Sequence, residues 1–330
     1  MRTIKSLNAD EAFIQAIIEF RMRTHEVEES RAGKVRALAE PLCVKSQWPT
    51  RRVLFNKGRN ANPYFHFFEA LWILRGEKNA EFPSRFCKNV YQFAEEDTGD
   101  FHGAYGWRLR EHFGIDQINK VVLKLRNNPQ DRRTVMSIWD PDADLDSDVN
   151  DIPCNIALCP RVVNGALDLT VFNRSNDIVW GMLGTNIVSF SMIQEYMAAG
   201  IGVRVGSLYQ ISVNAHIYER HFHFLYRDND QGCQDLYNLD RVRPYPMVES
   251  YAHFGSDLFE FFEADRRRFS NPFFKEVVMP MMRSWEAYEG GDITTAKTEL
   301  HYCMASDWKL ACTEWLQRKG GEEDVLPSRG

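Results

Sequence analysis

The chain has 330 residues, 44% hydrophobic and 13% aromatic, which is ample for a packed core in one large domain or two smaller ones. Its net charge of −6 at pH 7 argues against a polynucleotide binder, which shows a basic patch or stripe, but still allows a local arginine pocket for a small anion. No apolar run approaches the ~18 residues of a membrane span, and MRTIKSLNADEAF lacks the apolar run and cleavage site of a signal peptide, so the expected location is the cytoplasm.

NADEAFIQAIIEFRMRTH reads as an amphipathic helix with Asn8 at its cap, and ESRAGKVRALAE as a polar loop entering a strand. NPYFHFFEALWILRGEKN predicts a helix capped by Asn62, with Pro63 in the first turn and Gly76 as the stop. DQINKVVLKLRNNPQDRR predicts another, ended by Asn-Asn-Pro. TVMSIWD is strand-like and leads into the acidic loop DPDADLDSDVND. IALCPRVV and ALDLTVFNRS flank Asn164-Gly165 and predict a hairpin. NIVSFSMIQEYMAAGIG predicts a long apolar helix starting near Thr185 or Asn186 and ending at Gly200, and VRVGSLYQISVNAHIY is strand-rich. The last third is largely helical in pattern. Without regular βαβ alternation and without a Pro/Gly/Ser linker, the expectation is one α+β domain over 1–330, with a divergent, largely helical C-terminal extension from about residue 222.

Seven scattered cysteines without a CxxC pair predict no zinc or redox motif, but reduced, mostly buried thiols. Cys154 stands apart because it follows a polar loop at a strand start and faces Arg174 across the hairpin. A thiol attacks only as thiolate, which nearby positive charge favours. Cys159, five residues on, serves as a control and reads as packing. Arg132 and Arg133 sit between a helix end and a strand. Such a pair is usually solvated, but with Arg174 and Ser175 it fits a phosphate cluster. Asn186 offers the donors and acceptor that match a uracil edge, or a cytosine edge after a flip, and fits a helix cap equally well. His216 and Tyr218 lie two apart on a strand, facing one side, where they suit a sugar hydroxyl or plain packing. Glu69, among aromatics in HFFEALWILRG, has the setting of a carboxyl with raised pKa.

Taken in order, HFFEALWILRGEKN, GDFHGAYGWRLR, DQINKVVLKLRNNPQDRRTVMSIW, IPCN, NRSNDIVWG and AHIYERH resemble the thymidylate synthase family, from about Arg31 to His221. The resemblance implies a mixed β-sheet with flanking helices and a sheet-to-sheet homodimer in which Arg132 and Arg133 reach the partner's site. It implies that Cys154 attacks C6 of a pyrimidine nucleoside monophosphate and that Arg31, Arg174 and Ser175, with the partner's arginines, hold the phosphate. Asn186 would read the base, and His216 and Tyr218 the 3′-hydroxyl. Glu69, Asn155 and Tyr105 complete the catalytic set, Asp177 and Gly181 meet the folate, and 5,10-methylenetetrahydrofolate is the co-substrate, with no metal. No nucleic-acid or membrane partner is expected.

The departures point to one step. Synthases of the family carry histidine where Asn155 stands, aspartate where Asn214 stands, and a tryptophan near Asn89-Val90-Tyr91. GMLGTN is one residue longer than their usual motif, and EEDVLPSRG replaces their apolar terminus. An indole there excludes water from an exocyclic methylene intermediate, so its loss favours hydration over hydride transfer. The expectation is therefore a dUMP 5-hydroxymethyltransferase, with dCMP or CMP as the alternative base, or a divergent synthase making dTMP. Cytosine-specific members tend to place aspartate at position 186. Hydroxymethylation suits a phage DNA-modification pathway, in which case the location is the host cytoplasm.

Overall fold

The computed structural model describes residues 1–23, 27–226, 235–263 and 268–321. Cys233 and the terminal EEDVLPSRG therefore lie outside the described residues.

Among the described residues, eight strands form one mixed sheet. They are β1 (Arg2–Ser6), β2 (Glu28–Ser30), β3 (Gly33–Ala37), β4 (Leu42–Ser46), β5 (Met136–Ser137), β6 (Asn155–Val163), β7 (Ala166–Asp177) and β8 (Arg204–Tyr218). The order is β1-β4-β8-β7-β6-β5, with the β2–β3 hairpin joined to the end of β8. β7 and β8 run parallel and the β6–β7 pair is antiparallel. The β6–β7 turn is the expected one, with Asn164 at φ 50° and Gly165 at φ 71°. Both central residues at positive φ match the twist of the strands they join.

The parallel β7–β8 pair needs a crossover, supplied by the Asn186–Ile201 helix. This helix is apolar all round because it is buried all round, from Ile187 through Phe190, Ile193 and Met197. It ends one residue later than expected: Ile201 is the last helical residue and Gly202 takes the left-handed cap at φ 85°. Gly200 lies inside the helix for a packing reason, since a Cβ there would meet the Tyr251 ring at 2.6 Å and Val122 at 2.7 Å.

The Pro63–Arg75 helix follows its sequence signals. Asn62 accepts from the Phe65 amide at 3.2 Å, and Gly76 closes the helix at φ 94°. The helices of the C-terminal third pack on it and belong to the same buried core. Tyr64 packs against Trp285 and Trp315, its hydroxyl meets the Ser284 hydroxyl at 2.6 Å, and Phe67 packs edge-on to Trp308 at 5.0 Å. Each such large side chain contributes roughly 1.5–3 kcal/mol on burial. Together they fix the axial position of this helix and so the height of Glu69. In TVMSIWD the regular strand is Met136–Ser137; the Ile138 and Trp139 amides still donate to the Ile156 carbonyl, at 2.9 and 3.0 Å, before the chain turns into the short Pro141–Asp144 helix.

Gly106 sets the approach of the Tyr105 segment to this helix. A Cβ at Gly106 would stand 2.0 Å from the Ile73 carbonyl oxygen. Backbone cannot retreat as a side-chain tip can, so Gly106→Ala is expected to destabilise the protein by about 3 kcal/mol or more, read as a lower denaturant midpoint at unchanged slope.

Candidate active site

The carboxyl ends of β7 and β8 and the start of β6 converge on one cavity of about 830 Å³. Open sheets bind ligands at the carboxyl ends of parallel strands, because the chain there turns away and leaves a crevice. The β2–β3 hairpin overhangs one side. At its tip Arg31 donates to the Asn150 side chain at 3.1 Å and to its carbonyl at 2.9 Å.

Cys154 lines this cavity, and Arg174 stands across the hairpin from it as the sequence suggests. The Arg174 amide donates to the Cys154 carbonyl at 3.0 Å, while the guanidinium donates to the carbonyls of Pro153 at 2.9 Å and Ile152 at 3.0 Å. The arginine thus clamps the loop that presents the sulfur. Burial pushes the Cys154 thiol up, and Arg174 and Arg31 pull it back while Asp151 opposes them. Cys159 is raised by burial alone, with no cation against it. The two thiols thus differ in their surroundings, one beside guanidinium groups and the other not.

Glu69 points into the same cavity. Burial raises its carboxyl to about 8, against a hydrogen bond from Thr185 that lowers it and with Asp151 adding to the rise. Its Oε2 makes no protein hydrogen bond. Tyr105 lines the cavity and is raised well above its usual value by burial and by its neighbours Cys154, Asp151 and Glu69.

On β7 and β8, Ser175 pairs in register with Asn214, and Asp177 with His216. The Ser175 hydroxyl lies 3.4 Å from His216 Nδ1, which meets Asn214 Oδ1 at 3.1 Å. His216 and Tyr218 both line the cavity, their rings edge to face at 5.1 Å. Asp177 accepts from the Val179 and Trp180 amides, both at 3.1 Å, capping the turn that carries Trp180 and Gly181. Burial raises Asp177 and lowers His216. A Cβ at Gly181 would meet Asn176 Oδ1 at 2.3 Å. Asn186 is no helix cap: the first-turn cap position is Thr185, and the Asn186 amide instead lies in the cavity wall, 3.5 Å from Asn176 Oδ1.

Three of the candidate residues are not part of this chain's own cavity wall. Arg132 and Arg133 do not line the cavity of their own chain. Both are exposed, and Arg133 is paired with Asp131 at 2.6 Å. Asn155 does not line it either; its side chain is wholly buried behind Cys154, because a bulge between Asn155 and Ala157 keeps it on the core side opposite Asn173.

The structure adds residues that the sequence did not single out. Asp151 lines the cavity and accepts from the Gly103 amide at 2.9 Å. Asp144 anchors the acidic loop through a buried ion pair with Arg108 and a 2.8 Å contact with His102. At the mouth stand Val90, Phe93 and Trp180, the last 37% exposed, whereas Tyr91 turns to solvent. Indoles are therefore present in the cavity wall, from Trp72, Trp139 and Trp180 rather than from the Asn89-Val90-Tyr91 segment. Trp180 sits inside NRSNDIVWG, a signal available beforehand, and Asp144 could be told from its acidic neighbours only by its partners in space.

Residues 59–239 match the family model described as thymidylate synthase. The chain is 36% identical to a deoxyuridylate hydroxymethyltransferase of Pseudomonas phage M6, over 100% of this chain and 97% of that protein. It is 34% identical to the protein of that name from Bacillus phage SP01, over 75% of this chain and 67% of that protein. A putative thymidylate synthase of Methanothermobacter marburgensis is 39% identical over 40% of this chain and 57% of its own length. The full-length similarity and the matched segment around this cavity show that the chain belongs to the thymidylate synthase family.

Proposed function

We propose that the protein is a deoxyuridylate 5-hydroxymethyltransferase, converting dUMP, methylenetetrahydrofolate and water to 5-hydroxymethyl-dUMP and tetrahydrofolate. The observation that carries this reading is the meeting, in one cavity, of a cysteine beside arginine, a base-reading amide and a buried carboxyl. The full-length similarity to a phage protein named for that activity supports the choice of product.

Arg174 and Arg31 favour the Cys154 thiolate, which adds to C6 of the pyrimidine and makes C5 nucleophilic. Ser175 and Arg31 bind the phosphate, His216 and Tyr218 the 3′-hydroxyl, and Asn186 the base edge. The protonated Glu69 supplies the proton that a departing folate nitrogen needs, and Tyr105, whose hydroxyl burial keeps protonated, positions a water that takes up the C5 proton. The mouth suits the co-substrate: Trp180, Phe93 and Val90 offer flat apolar surface, Asp177 an acceptor, and Gly181 the close backbone approach. The outer sheet face supports a homodimer. Val135 is 54% exposed, Phe172 37% and Val213 62%, an apolar face that a second sheet would cover, bringing Arg132 and Arg133 to the partner's cavity.

Incubation with dUMP and methylenetetrahydrofolate, followed by mass analysis, is expected to give 5-hydroxymethyl-dUMP with tetrahydrofolate. A dTMP and dihydrofolate product would make the protein a divergent synthase, and turnover of dCMP or CMP alone would move the specificity to cytosine. Asn186→Asp is expected to lower kcat/KM for dUMP by about 10- to 100-fold and raise that for dCMP, because a carboxylate repels O4 and accepts from an exocyclic amine.

A further inference from the structure

At the start of β6, next to Cys154 in the chain, and along the neighbouring stretch of β7 lie buried amides whose hydrogen-bonding capacity is not met by protein. Asn155 is 0% exposed, and neither its Nδ2 nor its Oδ1 has a partner. Asn173, its register partner on β7, donates to the Ile211 carbonyl at 3.2 Å and leaves Oδ1 without one. Asn176 is 2% exposed, leaves Nδ2 unpartnered, and places Oδ1 3.5 Å from the amide of Asn186 in the cavity wall. Two acceptors and two amide donors among these three residues thus lack a protein partner. A buried amide without a partner is costly, and the ordinary remedy is an internal water, which needs two to four polar partners. Apolar packing would have served a merely structural position more cheaply.

We propose that the Asn155–Asn173 amide pair holds an internal water immediately behind Cys154, and that this water hydrates the exocyclic methylene of the nucleotide. The inference rests on the hydroxymethyltransferase reading. A folate seated at the mouth, among Trp180, Phe93 and Val90, bars solvent from that side until it leaves. A water held on the core side of Cys154 reaches the methylene past that residue rather than past the folate, so hydration precedes any return of hydride. The water oxygen bonds to the methylene carbon, and the alkene pair moves onto C5. That pair then re-forms C5=C6 as the C6–S bond breaks, releasing the Cys154 thiolate. The water's proton goes to Glu69, replacing the one that this carboxyl gave to the departing folate nitrogen. Asn155 and Asn173 are positioning residues in this scheme.

The test has two readouts. A high-resolution crystal structure of the ligand-free protein is expected to show one ordered water within hydrogen-bond distance of both amides, and its absence there overturns the proposal. With 5-tritiated dUMP and added 2-mercaptoethanol, the ratio of hydroxymethyl product to C5 tritium released is the second. In Asn155→Leu, which keeps the volume but not the polarity, this ratio is expected to fall by about 10-fold or more, with the thiol adduct of the methylene appearing instead. Asn155→Ser, with a hydroxyl and room for water, is expected to restore most of it. An unchanged ratio in the leucine variant, with turnover and tritium release falling together, would show a structural role only. Should the leucine variant not fold, the same ratio in Asn155→Ala, set against Asn155→Ser, decides. A wild-type product of dTMP alone sinks the hydroxymethyltransferase reading and the hydration role, whatever the crystal structure shows of the water.

Discussion

Cys154→Ser is expected to lower turnover by about 10⁴- to 10⁶-fold, the range seen when an enzyme loses its covalent nucleophile. A serine hydroxyl at this site stays protonated, and two neighbouring guanidinium groups do not change that. The check is twofold: steady-state product formation, and covalent trapping of 5-fluoro-dUMP in the presence of methylenetetrahydrofolate. Wild type should carry the adduct on Cys154, and the serine variant should carry none. Cys159→Ser is the control. Burial alone raises that thiol, so its replacement should leave both readouts near wild type. Retained turnover in Cys154→Ser would remove the covalent mechanism altogether.

Glu69→Gln is expected to cost about 10²- to 10⁴-fold in kcat, the usual contribution of a positioned acid or base. The pH profile gives the sharper check. With its carboxyl raised to about 8 by burial, Glu69 is protonated at neutral pH and loses that proton as pH rises through about 8. Wild-type kcat should therefore fall on the alkaline side of about 8, and the glutamine variant should lack that limb. The same shift sets a stability slope. The folded state holds this proton more tightly than the unfolded chain, whose value is near 4.5, so wild-type stability falls as pH rises from about 4.5 to about 8. Denaturant midpoints for the glutamine variant should fall less over that window. An alkaline limb that survives the substitution would assign the limb to another group.

Much of the site was legible as residue types in order. The Asn62 cap, the Asn164-Gly165 turn and the alternation of β7 and β8 are local signals, and local signals survive folding because they act over a few bonds. Cys154, Arg174, Asn186, His216, Tyr218 and Glu69 come together as expected. The helix end at Ile201 was misplaced because Gly200 is required by Tyr251 and Val122, which approach from elsewhere in the chain. Asn155 was expected among the reacting groups. The β6 bulge, a matter of pairing between strands, turns it into the layer behind them.

By itself, then, the sequence determined the residue types available for chemistry: a thiol, a guanidinium, a carboxyl and an amide, each with its local element. The tertiary structure alone decided which charges act. Distance and burial are set by contacts between distant segments, and those two quantities raise Glu69, separate Cys154 from Cys159 and leave the Asn155 amide and the Asn173 Oδ1 without a protein partner in the interior.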